Sequence, residues 1–190
     1  MRRMFWVRHG PTHVRAMVGW ADPPADLSDI EGLDRLHAHL PMPAKIVSSD
    51  LQRARATADA IERDRTRLPH VTGLREINFG DWDMQVFDEI EDQERLRAFW
   101  DQPGDVRAPN GETWNDVFRR VSTATDRLLD DHPDDDLIIV AHFGAILTQV
   151  QRTLKIPAYD AFANRIDNLS VTEIHITDDG WHLASINHLP

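Results

Sequence analysis

The chain has 190 residues, no cysteine, and 32 acidic against 21 basic side chains, a formal net charge of -11. The length suits one domain over residues 1–190. The missing cysteines exclude disulfides, thiolate nucleophiles and cysteine-based metal sites. The charge excludes a large polyanion such as nucleic acid as partner, but a small phosphate ester can still be met by a local cluster of arginine and histidine.

Met4–Val7 is a short apolar run of the length of a buried strand, and Arg8 ends it. It is shorter than the roughly 7–15 apolar residues of a secretory segment. No run in the chain approaches the ~20 residues of a membrane helix, so a cytoplasmic protein with no membrane partner is expected. Ser28–His39 fits a helix opened by Ser28 as N-cap, with Glu31 at the capping-box position. Lys45–Ser48 is a second candidate strand. Asp50–Arg63 follows as a helix with Ala54, Ala58 and Ile61 on one face.

Asp88–Glu94 is an acidic run expected to be a solvated face, and Pro103–Pro109 a loop. From Glu112 to Asp131 the residues Trp114, Val117, Val121 and Leu128 keep helical spacing. Leu137–Ala141, Leu-Ile-Ile-Val-Ala, is a third strand, and Ala145–Leu154 a short amphipathic helix. Leu169–Ile176 and Trp181–Ile186 flank Asp178-Asp179-Gly180 as a hairpin. Period alone does not separate short apolar runs from buried helix. Their length, β-branched content and polar borders favour strand. Strands alternating with helices predict a three-layer α/β/α sandwich around a mostly parallel sheet.

Ligands on such sheets bind beyond the carboxyl ends of the strands. The first strand runs into Arg8-His9-Gly10-Pro11-Thr12, and the third into His142-Phe143-Gly144. The second leads to Arg53, in the first turns of a helix whose N-terminus itself favours an anion. Gly10 would let backbone approach an anion closely, and Thr12 offers a hydroxyl. Arg15 is either a phosphate contact or an exposed residue. His9 and His13 are four apart, but no carboxylate completes a metal set with them, and neither metal nor cofactor is expected.

Ordered pieces of the chain resemble the histidine phosphatase superfamily, the group containing phosphoglycerate mutases and histidine acid phosphatases. They are Arg8-His9-Gly10, Gly19-Trp20-Ala21-Asp22, the 49–58 segment with Arg53 and Thr57, Leu74-Arg75-Glu76, Pro109-Asn110-Gly111-Glu112 and Val140-Ala141-His142. The resemblance implies a phosphohistidine intermediate at His9 and an acid at Glu76. Physical chemistry is consistent with those roles. A histidine nucleophile needs one unprotonated nitrogen aimed at phosphorus and the other held by an acceptor. Arg8 and Arg53 offer forks matched to phosphate oxygens, and their charge disfavours protonation of His9. His142, if protonated, adds a donor where charge develops.

Three departures stand out. Pro11 replaces the Glu or Gln common after Arg-His-Gly. Arg15 stands where Asn is common, and Phe143 where Gly is common, which makes a bulkier wall. Glu112 is open between helix cap and pocket.

The expectation is a metal-independent phosphatase of small organic monoesters, with catalytic His9, Glu76, His142, Arg8 and Arg53, and with Gly10, Thr12, Arg15 and Phe143 binding substrate. The alternatives are a phosphoglycerate mutase and a catalytically weak phosphate-ester binder. Substrate and oligomeric state are left open. Segment 78–107 is expected to cover the pocket, and its aromatics Trp82, Phe87, Phe99 and Trp100 to form either a substrate wall or a satellite core. Its acidic run is expected to repel a doubly anionic glycerate.

Overall fold

A six-stranded sheet organises the computed structural model, which describes residues 1–190. The elements in chain order are β1 (Arg2–Arg8), α1 (Ile30–His39), β2 (Lys45–Ser48), α2 (Gln52–Glu62), β3 (Thr66–Arg67), α3 (Gln93–Asp101), α4 (Trp114–Asp131), β4 (Leu137–Ala141), α5 (Phe143–Leu154), α6 (Ala158–Phe162), β5 (Val171–Thr177) and β6 (Gly180–His188). The spatial order is β3-β2-β4-β1-β5-β6. The first four of these strands are mutually parallel, while β5 runs antiparallel to β1 and forms the expected hairpin with β6.

Both sheet faces are buried, which is why the central strands are continuous apolar runs rather than alternating ones. Phe5, Val7, Ile46, Ile138 and Val140 pack under α1 and α2 in a cluster of 13 buried residues. Met4, Trp6, Val47, Leu137 and Ile139 face α4 and α5 in a cluster of 26. The three-layer expectation holds, with β2 and β4 at their expected bounds. No helix is long and apolar enough to cross a membrane.

Some boundaries differ from expectation. Helix α1 is capped by Asp29, whose carboxylate accepts from Gly32 N, and not by Ser28. Helix α4 begins at Trp114 behind a capping box made by Thr113 and Asp116, so Glu112 is not its cap. Helix α3 lies within segment 78–107, where no helix was expected. Asp92 caps it, and Leu96 and Phe99 pin it to the core.

Candidate active site

The register of the sheet decides where the two histidines meet. β1 and β4 are neighbours with Arg8 paired to Ala141, so His9 and His142 leave adjacent strand ends together. Their ring centroids are 5.0 Å apart, and both side chains are buried.

The His9 ring is oriented from both sides. Its Nδ1 lies 2.7 Å from the Gly10 carbonyl, which can only accept, so Nδ1 carries the proton and Nε2 keeps its lone pair. Arg53 Nε donates to that Nε2 at 3.2 Å. Behind the ring, Gly10 N donates to Thr57 Oγ1 at 2.9 Å, and the Thr57 hydroxyl donates to the Arg53 carbonyl. The Gly10 N–H is thus spent on Thr57, where sequence led to the expectation of close backbone approach to an anion. A Cβ on Gly10 would lie 2.7 Å from Leu27 Cδ2. Burial, then the charges of Arg53 and Arg8, push the His9 pKa down to about 3 against the upward pull of Gly10 O. Desolvation outweighs the arginines that sequence reasoning credited.

Arg53 is buried beside the nucleophile. Its two terminal nitrogens donate to the carbonyls of Ala21 and Gly19, each at 2.8 Å. Its fork is thus partly committed to the loop after His9 and its Nε to His9 Nε2, leaving one N–H on each terminal nitrogen for an incoming anion. Arg8 donates from one terminal nitrogen to the Ile166 carbonyl at 2.6 Å, while its buried Nε has no partner. Its guanidinium lies 5.6 Å from the Phe143 ring centroid.

His142 differs from the expected protonated donor. Burial first, then His9, Arg53 and Arg8, hold its pKa well below the usual imidazole range, so the ring is neutral. Neither ring nitrogen has a hydrogen-bond partner within the protein. A neutral imidazole still has one N–H to donate.

Glu76 is buried with one oxygen held. Its Oε1 accepts from Ile77 N and from Gly144 N, both at 2.9 Å. A Cβ on Gly144 would lie 2.4 Å from that oxygen, so only glycine lets the start of α5 close on the carboxyl. Burial raises the Glu76 pKa against the opposing pull of Arg53, Arg8 and the two amides. The same desolvation favours two neutral imidazoles and a protonated carboxyl. The cationic charge of Arg8 and Arg53 is left to receive a dianion.

Arg8, His9 and Glu76 open on a cavity of about 470 Å³, which Thr12, His13, Phe143 and Asn168 also line, with Val14, Met17, Val18, Phe79 and Trp100 on its apolar side. Arg53 and His142 are buried and are not among its lining residues. Thr12 and Phe143 fall where expected. Arg15 is exposed and lines no part of it. The acidic residues of Asp88–Glu94 are also outside its lining. Of the segment's aromatics, Trp82 and Phe99 are core, Phe87 is exposed, and half-buried Trp100 reaches the cavity. A larger groove of about 610 Å³ runs along α4, far from His9. Glu112 lies outside the cavity and pairs with Arg120.

Asn168 went unnoticed in the sequence. Its Nδ2 donates to the His9 carbonyl at 2.8 Å, and its side chain lines the cavity. The only local signal was an Asp-Asn pair before an apolar run, an ordinary turn feature.

Comparison with known proteins places this geometry in context. The model of the histidine phosphatase superfamily (branch 1) matches residues 4–189. An adenosylcobalamin/alpha-ribazole phosphatase of Salmonella typhimurium is 30% identical, across 97% of this chain and 96% of its own length. A protein of Cronobacter sakazakii named as a phosphoglycerate mutase, GpmB, is 28% identical, across 97% and 89%. The structure of Bacillus stearothermophilus YhfR superposes with a TM-score of 0.91 at 27% identity, covering 100% of this chain and 98% of that one.

Proposed function

The chain belongs to the histidine phosphatase superfamily, branch 1, and on that premise we propose that it hydrolyses small organic phosphate monoesters through a phosphohistidine at His9 Nε2. Its membership and its phosphatase relatives make it a phosphoric monoester hydrolase. Substrate and route are our reading.

The observation that carries the route is the fixed tautomer of His9. Nδ1 is spent on the Gly10 carbonyl, so Nε2 alone can attack. The ester phosphate takes the place of Arg53 Nε at that lone pair, after which the Arg53 and Arg8 N–H groups face its equatorial oxygens. The unpartnered N–H of His142 donates to the same group as charge shifts. Glu76, whose pKa burial raises, gives a proton to the departing alkoxide. It then takes a proton from water attacking the phosphohistidine, and inorganic phosphate leaves. Arginine and histidine donors supply the positive charge of this route, and Glu76 is the one carboxylate among the lining residues, so no step calls on a metal.

We read the cavity as favouring hydrolysis over mutase chemistry. A mutase must hold a partly dephosphorylated intermediate by its remaining anionic groups. Here Met17, Phe79, Trp100 and Phe143 make part of the lining apolar.

The test is rapid acid and alkaline quenching after mixing with ³²P-labelled 4-nitrophenyl phosphate, with 3-phosphoglycerate and a trace of 2,3-bisphosphate run in parallel. Acid-labile, base-stable label on His9 and release of free phosphate are expected. Absence of label would sink the covalent route, and 2-phosphoglycerate appearing faster than free phosphate would make the chain a mutase.

A further inference from the structure

The Pro109-Asn110-Gly111-Glu112 motif has no part in the mechanism above, yet Glu112 is tied to one place only. Its carboxylate forms a two-pronged pair with Arg120, at 2.8 Å from Nε and 2.7 Å from Nη2. It also accepts from Asn78 N at 2.9 Å, while its own backbone N–H donates to Asn78 O at 2.8 Å.

Arg120 spends every remaining donor on the same stretch. Nη1 donates to the carbonyls of Gly73 and Arg75, both at 3.0 Å, and Nη2 to that of Glu76 at 3.1 Å. The Glu76 carbonyl accepts a second bond from Trp20 Nε1 at 2.9 Å. The Trp20 ring lies between the guanidinium groups of Arg75, 4.8 Å from its centroid, and Arg120, 5.9 Å away.

Segment 75–79 has no regular secondary structure. Backbone with no ladder of its own must find partners elsewhere when buried, and here one ion pair supplies them on both sides of Glu76. We infer that the Arg120–Glu112 pair is a positioning device that holds the backbone of Glu76 so that its carboxyl meets the leaving group. A planar five-donor fork does this where a point charge would not. The pair touches neither substrate nor nucleophile and acts only through the acid. The inference rests on Glu76 being the proton donor, as proposed above.

The experiment compares hydrolysis of hexyl phosphate, whose alkoxide needs a proton, with that of 4-nitrophenyl phosphate, whose phenolate leaves without one. The variants are Arg120→Met, Glu112→Gln, Glu76→Gln and the Arg120→Met/Glu76→Gln double. Loosening the acid should lower the hexyl-to-nitrophenyl rate ratio about tenfold in Arg120→Met and less in Glu112→Gln. This is a part of the ~10²-fold or more that acid catalysis supplies.

The fall of hexyl phosphate turnover at high pH should also move to lower pH, because a loosened carboxyl is better hydrated. In the Glu76→Gln background Arg120→Met should change the ratio no further. A ratio untouched in both single variants, or an additive double variant, overturns the inference while leaving Glu76 in place. A ratio untouched in Glu76→Gln removes the acid itself, and the inference falls with it. If Arg120→Met does not fold, Glu112→Gln decides alone.

Discussion

His9 and His142 occupy matching positions and differ in almost everything that matters chemically. Each ends a parallel strand, the strands are adjacent, and both rings are buried within 5.0 Å of each other. His9 has a partner on each ring nitrogen and its backbone carbonyl held by Asn168. His142, the N-cap of α5, has no partner on either ring nitrogen. Topology explains why the two imidazoles are there. Their hydrogen bonds explain why one is suited to attack and the other to answer the charge that attack creates.

The sharpest way to break this contrast is to remove each ring in turn. Replacing His9 with Ala deletes the ring whose tautomer is fixed by the Gly10 carbonyl. Turnover should drop by ~10⁴-fold or more, with no phosphoenzyme on quenching and a thermal transition still cooperative. Turnover near the wild-type rate would mean that the two histidines are misassigned. Replacing His142 with Ala keeps the nucleophile and removes one donor. A loss of ~10²–10³-fold is expected, with phosphoenzyme still trapped during slow turnover of 4-nitrophenyl phosphate. Complete absence of label in that variant would give His142 the role claimed for its neighbour.

The smallest effect concerns Glu76, where burial favours the neutral state just as it does for the two rings. The folded pKa lies above the ordinary 4.5. The stability linked to this group is therefore fully present below about that value and is lost as pH rises through the folded pKa. Glu76→Gln keeps the acceptor for Ile77 N and Gly144 N but cannot ionise. Its melting temperature should gain on the wild type between pH 4 and pH 8 by a few degrees at most. A constant difference across that range would show that the carboxyl is not desolvated.

The parts legible in the sequence were those with short-range causes. β2 and β4 showed as β-branched runs with polar borders, and Arg8, His9 and His142 showed as residues following strands. Helix α3 was hidden because Leu96 and Phe99 sit among charged residues beside an acidic run. The cap of α1 is Asp29, one residue after the expected Ser28. The loop carbonyls that engage Arg53 come from residues distant in sequence, the tautomer of His9 is set by backbone direction, and the Glu112–Arg120 pair depends on how the chain enters α4. No local pattern encodes them. Asn168 belongs with these, since it is 159 residues from its partner.

One feature of the sheet bears on the lifetime of the reactive state. β1 and β4 are its two innermost strands, and the short strand β3 and the hairpin strand β6 form its borders. Fraying starts at borders, where few contacts resist it. The borders can open and reclose many times while the ladder from Arg8 to Ala141 stays shut. A phosphoryl group on His9 would then wait for its water beside two strand ends that part only when the whole molecule does.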